Sequence, residues 1–211
     1  KKAPLEKVCL LGCGITTGVG AVINAAKVRP GSSVIVFGCG GVGGTVVQSA
    51  RMAGAAEIVA VDPVPEQRKH AKRFGATHAI APEDVARVKA ELTGDADGFD
   101  YGFEAVGTPA TIRATYDAVR RGGTAVIVGV GRADEPVPFN AYELSYGDKT
   151  LRGTWFGSGD PRLDFNRALL LWKTGRLDLE GLITTRGRLE DINTVFHDMK
   201  SGGGIKTVLT L

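Results

Sequence analysis

Val34-Ile35-Val36-Phe37-Gly38-Cys39-Gly40-Gly41-Val42-Gly43 carries an apolar run of strand length straight into a glycine cluster that matches G-x-G-x-x-G. The residues after it, Val42 to Met52, have helical spacing up to Gly54. Strand, glycine turn and helix in that order form the context in which this motif carries meaning. Gly38 permits the sharp turn, Gly40 lets the backbone approach a pyrophosphate, and Gly43 lets helix and strand pack closely; Gly41 and Val42 complete the loop. The phosphates then rest on the positive end of the helix. Asp62 ends the next strand at the distance expected of an acid that binds ribose hydroxyls. A carboxylate there repels a 2′-phosphate and so selects NAD over NADP. Glycines that merely turn the chain, and an Asp62 that is only a turn residue ahead of Pro63, remain the plain alternatives.

Working outward from this loop, short β-branched runs alternate with segments of helical period, the pattern of a parallel sheet with crossover helices. The spacing predicts strands at 34–37, 57–61, 78–80, 99–103, 124–128 and 151–155, and helices at 42–52, 66–74, 83–92 and 109–121. Thr108-Pro109 starts the last of these helices. After Gly159 the pattern changes: helices are expected at 160–171 and 189–199 and a closing strand at 205–211. A helix at 16–26 precedes the first strand. The expected fold class is therefore α/β, a doubly wound parallel sheet with additional pieces at both ends.

Composition narrows the function classes. The chain has 211 residues, 43% hydrophobic and 23% charged, enough for one substantial core. Its 26 basic and 23 acidic residues are interspersed, so the net charge of +3 forms no stripe suited to nucleic acid. No segment has the length and apolarity of a membrane span or a secretory h-region, which makes the cytoplasm the expected compartment and a membrane an unexpected partner. Three cysteines, Cys9, Cys13 and Cys39, are an odd set that argues against a disulfide framework.

Leu11-Gly12-Cys13-Gly14-Ile15-Thr16-Thr17-Gly18-Val19-Gly20, the Gly38–Gly43 loop, Ala60-Val61-Asp62, Phe74-Gly75-Ala76-Thr77 and Lys206-Thr207-Val208-Leu209-Thr210 together resemble the zinc-dependent medium-chain alcohol dehydrogenases. The similarity is closest to the branch holding the glutathione-dependent formaldehyde dehydrogenases and related bacterial alcohol dehydrogenases. It implies a Rossmann domain over 16–157, with 1–15 and 158–211 as returning pieces of a GroES-like catalytic domain. It also implies a hydride transfer between NAD and a small alcohol or aldehyde, a catalytic zinc, and a homodimer or homotetramer. By the same resemblance Cys13 is a zinc thiolate and Thr17 lies behind the nicotinamide. Val42 packs on the same ring face, Val106 covers the adenine ribose, and Val128, Val130, Thr154 and Phe156 meet the carboxamide side. Lys206 stands where the family often has a pyrophosphate-binding arginine. Gln67 stands at the position of a lysine for the adenine ribose, with Arg68 next to it as either a replacement contact or a solvated side chain. Cys9 and Cys39 match no ligand position and are expected to be packing residues. The resemblance implies that the other zinc ligands and the proton relay belong to an N-terminal part outside these residues, so this chain alone binds cofactor without turnover. The stretch 140–155 resembles the edge through which family dimers pair their sheets.

A zinc-free quinone reductase and a non-enzymatic NAD-binding sensor or subunit remain open as other readings. A short-chain dehydrogenase does not fit, because Tyr146-x-x-Lys149 is one residue short of Tyr-x-x-x-Lys. Neither G-x-S-x-G nor H-E-x-x-H occurs, so the hydrolase readings lack their motifs.

Overall fold

The computed structural model describes residues 3–200 and 204–211. The chain starts with α1 (Leu5–Val8), a 3-10 turn (Cys9–Gly12), α2 (Gly14–Gly20) and a π-helical turn (Ala21–Ala26). It then alternates through β1 (Ser33–Phe37), α3 (Gly41–Met52), β2 (Glu57–Val61), α4 (Pro65–Phe74), β3 (His78–Ile80), α5 (Val85–Thr93), β4 (Phe99–Glu104), α6 (Pro109–Ala118) and β5 (Val119–Ile127). After α7 (Ala141–Gly147) and β6 (Thr150–Gly153) the tail forms α8 (Pro161–Lys173), β7 (Ile183–Arg188), α9 (Ile192–Lys200) and β8 (Lys206–Thr210).

Six strands make one parallel sheet in the order β3-β2-β1-β4-β5-β6, while β7 and β8 pair separately. Val34 and Val36 join one apolar core with residues of α2, α3, α4 and α8; Ile35 and Phe37 join another with Val88 of α5 and Ala118 of α6. Burial on both faces is why β1 reads as an unbroken apolar run rather than an alternating one. The strand order reverses between β1 and β4, which leaves a crevice at their carboxyl ends. The glycine loop opens at that crevice.

Several boundaries differ from the sequence expectation for local reasons. The helix expected at 109–121 stops at Ala118, and Val119, fully buried, already pairs with Phe99; Gly122 at φ +71° takes a conformation no helix accommodates. The helix at 83–92 splits into a 3-10 turn (Pro82–Asp84) and α5, and the one at 189–199 splits likewise at Asp191. The helix at 16–26 begins earlier, at Gly14, and widens into the π-helical turn that ends on left-handed Lys27 (φ +53°). Half of the stretch 140–155, expected as a sheet edge, is the helix α7, capped by Asn140, whose side-chain oxygen accepts from Tyr142 N at 2.8 Å. Only β6 forms the edge itself. Two helix starts fall where expected: Thr108 and Thr111 form a capping box, and Asp160 accepts from Arg162 N at 2.9 Å.

The tail packs back on the sheet layer. Leu177, Leu179 and Leu182 are buried in the same core as α3, and Gln48 of α3 holds the backbone of Asp178 from both sides, at 3.2 and 2.7 Å. Asn24 donates to Gly157 O and to Asp164 Oδ2, each at 3.2 Å. At the same junction the backbones of Gly20 and Gly157 meet with no space for a Cβ on either, and Phe156, Gly157 and Ser158 all take left-handed φ values of 49°, 72° and 55°. Lys7 pairs with Glu180 at 2.9 Å and Arg186 with both Glu6 and Glu180. No single helix among the described residues is long and apolar enough to cross a membrane.

Candidate functional site

Residues at the ends of β1, β2 and β4 and at the starts of α2 and α3 meet at the crevice. Gly38 leaves β1 at φ +88°, its N–H donating to Val61 O at 2.9 Å. Gly40 forms the N-cap of α3 without any capping side chain, and a Cβ placed on it would meet nothing within 4 Å. The first-turn N–H groups of this twelve-residue helix have no side-chain cap, a setting in which an anion is favoured. Gly43 sits one turn deeper, and a Cβ there would collide with the Gly38 carbonyl oxygen.

Asp62, directly after β2, is buried, 8% exposed, rather than lying on the surface. Its Oδ2 accepts from Cys39 N at 2.8 Å and its Oδ1 from Val64 N at 2.9 Å. Each oxygen keeps a further acceptor site. A cavity of about 410 Å³ opens beside it, lined by Phe37, Val61, Asp62, Val106, Ala110 and Thr111 among others. Its mostly apolar wall with one carboxylate at the rim has the composition of a small-molecule pocket. Two larger cavities, about 500 and 520 Å³, lie away from the glycine loop, one at the carboxyl ends of α3 and α4 and the other around Ser32, Asp100 and Thr124. Neither touches the glycine loop.

On the other side of the loop, α2 lies so close to α3 that a Cβ on Gly18 would meet Thr45 Cβ at 2.6 Å. This contact sets Thr17, 9% exposed, and Cys13 at the start of α2 near Val42. Lys206 reaches across from β8: its Nζ lies 3.7 Å from the position of a Gly14 Cβ and 3.0 Å from that of a Gly41 Cβ. The ammonium has no hydrogen-bond or ion-pair partner among the described residues and stands over the starts of both helices. Val128 is buried with its N–H on Glu104 O at 2.8 Å, and Thr154 N donates to Ile127 O at 3.0 Å. Val106 lines the cavity beside Asp62, and Val106, Val130 and Phe156 are 49%, 74% and 37% exposed, outside the core.

The family model described as zinc-binding dehydrogenase matches residues 41–173. The chain belongs to the zinc-binding dehydrogenase family. The chain is 39% identical over 213 residues to alcohol dehydrogenase 3 of Hordeum vulgare, covering 98% of itself and 55% of that protein. It is 41% identical to the S-(hydroxymethyl)glutathione dehydrogenase of a Synechocystis strain, covering 97% of itself and 56% of the relative. The crystal structure of benzyl alcohol dehydrogenase from Acinetobacter calcoaceticus superposes with a TM-score of 0.93 at 33% identity, over 100% of this chain and 58% of that one. The chain thus spans a little over half the length of the relatives it matches.

The three cysteines take separate places. Cys13 is exposed at the N-cap of α2, its thiol without a partner among the described residues. Those residues contain no group of three His, Cys, Asp or Glu side chains close enough to hold a metal. Cys9, expected as a packing residue, is exposed instead: it lies on the outer side of the 3-10 turn and its thiol donates to Glu6 O at 3.1 Å. Cys39 is fully buried, as expected, with its thiol 3.6 Å from Val61 O. Burial pushes this thiol from 9.0 up to about 12, with the Asp62 carboxylate acting the same way and Arg68 opposing both. The folded chain therefore favours the protonated thiol. Its contribution to stability is intact below pH 9 and declines as pH rises from there toward 12, by at most about 1.4 kcal/mol per unit. Thiol titration of the native protein at pH 8 should find Cys9 and Cys13 reactive and Cys39 silent until denaturant is added.

The adenosine side also differs from expectation. Gln67 is buried and turned inward, with Nε2 donating to Gly204 O at 2.6 Å, so it does not replace a ribose-binding lysine. Arg68 is half-buried and donates through one nitrogen to the carbonyls of Asp62 and Pro63 at 2.7 and 2.9 Å. It staples the turn after β2. Glu104, which no sequence signal singled out, is the least exposed acid at this edge, at 0%.

Proposed function

We propose that this chain is the cofactor-binding part of an NAD-dependent zinc alcohol dehydrogenase that moves a hydride between NAD and a small alcohol or aldehyde. The observation that carries this reading is the convergence at one crevice of a buried Asp62, an uncapped α3 start and an unpaired Lys206 ammonium. The pyrophosphate fits the open N–H groups of α3 with Lys206 beside them. The remaining acceptor sites of Asp62 suit two ribose hydroxyls and disfavour a 2′-phosphate. Thr17 and Val42 back one face of the nicotinamide, leaving the other toward the substrate, and Val128, Val130, Thr154 and Phe156 border the carboxamide side.

An accessible thiol at the start of α2, beside the nicotinamide position, is a suitable donor for zinc, and Cys13 is the residue that would hold it. Bound there, zinc would supply Lewis-acid polarisation of a carbonyl and a lowered pKa for a bound alcohol. Its other ligands would come from the part of the relatives' length that this chain does not span. The boundaries 1–15, 16–157 and 158–211 divide the chain between catalytic and nucleotide domains in this reading. Two or four copies assemble through the exposed edge strand β6, and the enzyme works in the cytoplasm.

Calorimetric titration of the chain with NADH and with NADPH tests the reading. NADH is expected to bind in clear preference; equal or tighter binding of NADPH, or no binding by a folded chain, overturns it. Lys206→Ala should weaken NADH about tenfold, since it removes one charge-assisted contact. The loss should shrink in high salt.

A further inference from the structure

Glu104 ends β4 in the middle of the crevice, with 0% of its surface exposed. A buried carboxylate is costly unless hydrogen bonds compensate it. Here one oxygen takes nearly all of them: Oε1 accepts from Val106 N at 2.8 Å, Gly107 N at 2.7 Å and Thr111 Oγ1 at 2.7 Å. Oε2 is buried with no hydrogen-bond partner among the described residues. The backbone oxygen of the same residue accepts from Val128 N at 2.8 Å and Gly129 N at 2.9 Å. A single residue therefore gathers the end of β4, the loop into α6, the first turn of α6 and the end of β5.

The groups held by the side chain are those that build the pocket beside Asp62. Val106 and Thr111 line that cavity, and Val106 packs so close to Gly38 that a Cβ on the glycine would lie 2.7 Å from Val106 Cγ2. The backbone oxygen instead serves Val128 and Gly129, on the nicotinamide side. We infer that Glu104 is a positioning residue for the adenosine half of the dinucleotide, its Oε1 fixing the Val106–Gly107 loop and Thr111 against the glycine turn. The inference rests on the reading of this crevice as a dinucleotide site. Oε1 holds the adenosine-side loop while Oε2 and Gly107 abut Gly129, so that changes to the side chain act chiefly on the adenosine half.

The test is titration of the full chain with NADH, with AMP and with nicotinamide mononucleotide, together with thermal unfolding. Glu104→Gln keeps an acceptor at Oε1 and places its amide where Oε2 has no partner. It should melt at lower temperature yet bind NADH and AMP within about threefold of the parent. Glu104→Ala should lose about thirtyfold or more for AMP with nicotinamide mononucleotide within about twofold. Thr111→Val removes one arm and provides the measurement if Glu104→Ala does not fold. It should weaken AMP about threefold to tenfold, and Thr111→Ser, which retains the hydroxyl, should restore it. The inference is overturned if AMP affinity is unchanged in Thr111→Val and in any folded Glu104→Ala, or if AMP and nicotinamide mononucleotide weaken equally. Failure of the parent chain to bind NADH overturns the functional reading and this inference with it, whereas a binding parent with indifferent variants overturns this inference alone.

Discussion

Gly43→Ala should abolish measurable NADH binding and destabilise the fold by about 3 kcal/mol, at the upper end for overpacking a filled site. The added methyl would fall on the Gly38 carbonyl oxygen, which is backbone and has no rotamer through which to yield. Relief requires α3 to move away from β1. That movement loosens Val46, Val47 and Ala50, all fully buried, and carries the open N–H groups of the first turn away from the phosphate position. Denaturant unfolding and NADH titration on the same preparation should show both losses together. A folded Gly43→Ala chain of parental affinity would mean that close approach of helix and strand is not what the loop provides.

Asp62→Gly has the second large effect, with a different signature. The variant removes the acceptor for Cys39 N and Val64 N, contacts of 2.8 and 2.9 Å, and should cost about 2–3 kcal/mol of stability. NADH should bind about 30-fold to 100-fold more weakly, because bonds from ribose hydroxyls to a charged acceptor are lost. NADPH should lose far less, or gain, because the repelling carboxylate is gone while the Arg68 guanidinium remains on the turn. The ratio of the two affinities is the decisive reading: if the preference for NADH survives the variant, another residue sets it.

The parts of this structure that could be read from the sequence are those where local pattern and global burial agree. β1, α3 and β2 follow from runs that the fold buries and from glycines at forced turns. α7 carries no such signal, because none of its residues is buried and its start depends on the single Asn140 cap. β7 is hidden for a related reason: of Ile183–Arg188 only Ile183 is buried, so no alternation of apolar and polar residues appears. The site shows the same division. Asp62 and the glycine loop have fixed spacing, and spacing survives in sequence. Glu104 is recognised only through donors on loop backbones, which are invisible until the loop is folded; the Glu104-Ala-Val-Gly-Thr-Pro order, an acid just ahead of a glycine and a helix start, is the one trace it leaves. Exposure of a small thiol depends on which side of a turn it occupies, and composition cannot tell Cys9 from Cys39.

The junction where Asn24 reaches Gly157 and Asp164, and where Gly20 touches Gly157, joins residues more than 130 positions apart. During synthesis α2 therefore leaves the ribosome well ahead of the segment that encloses it. At roughly 5–20 residues per second, the interval is about seven to thirty seconds. Over that time Ile15, Val22 and Ala25, which end up buried, have no final neighbours on the α8 side. A nascent chain in that condition carries these apolar side chains uncovered until Gly157 arrives.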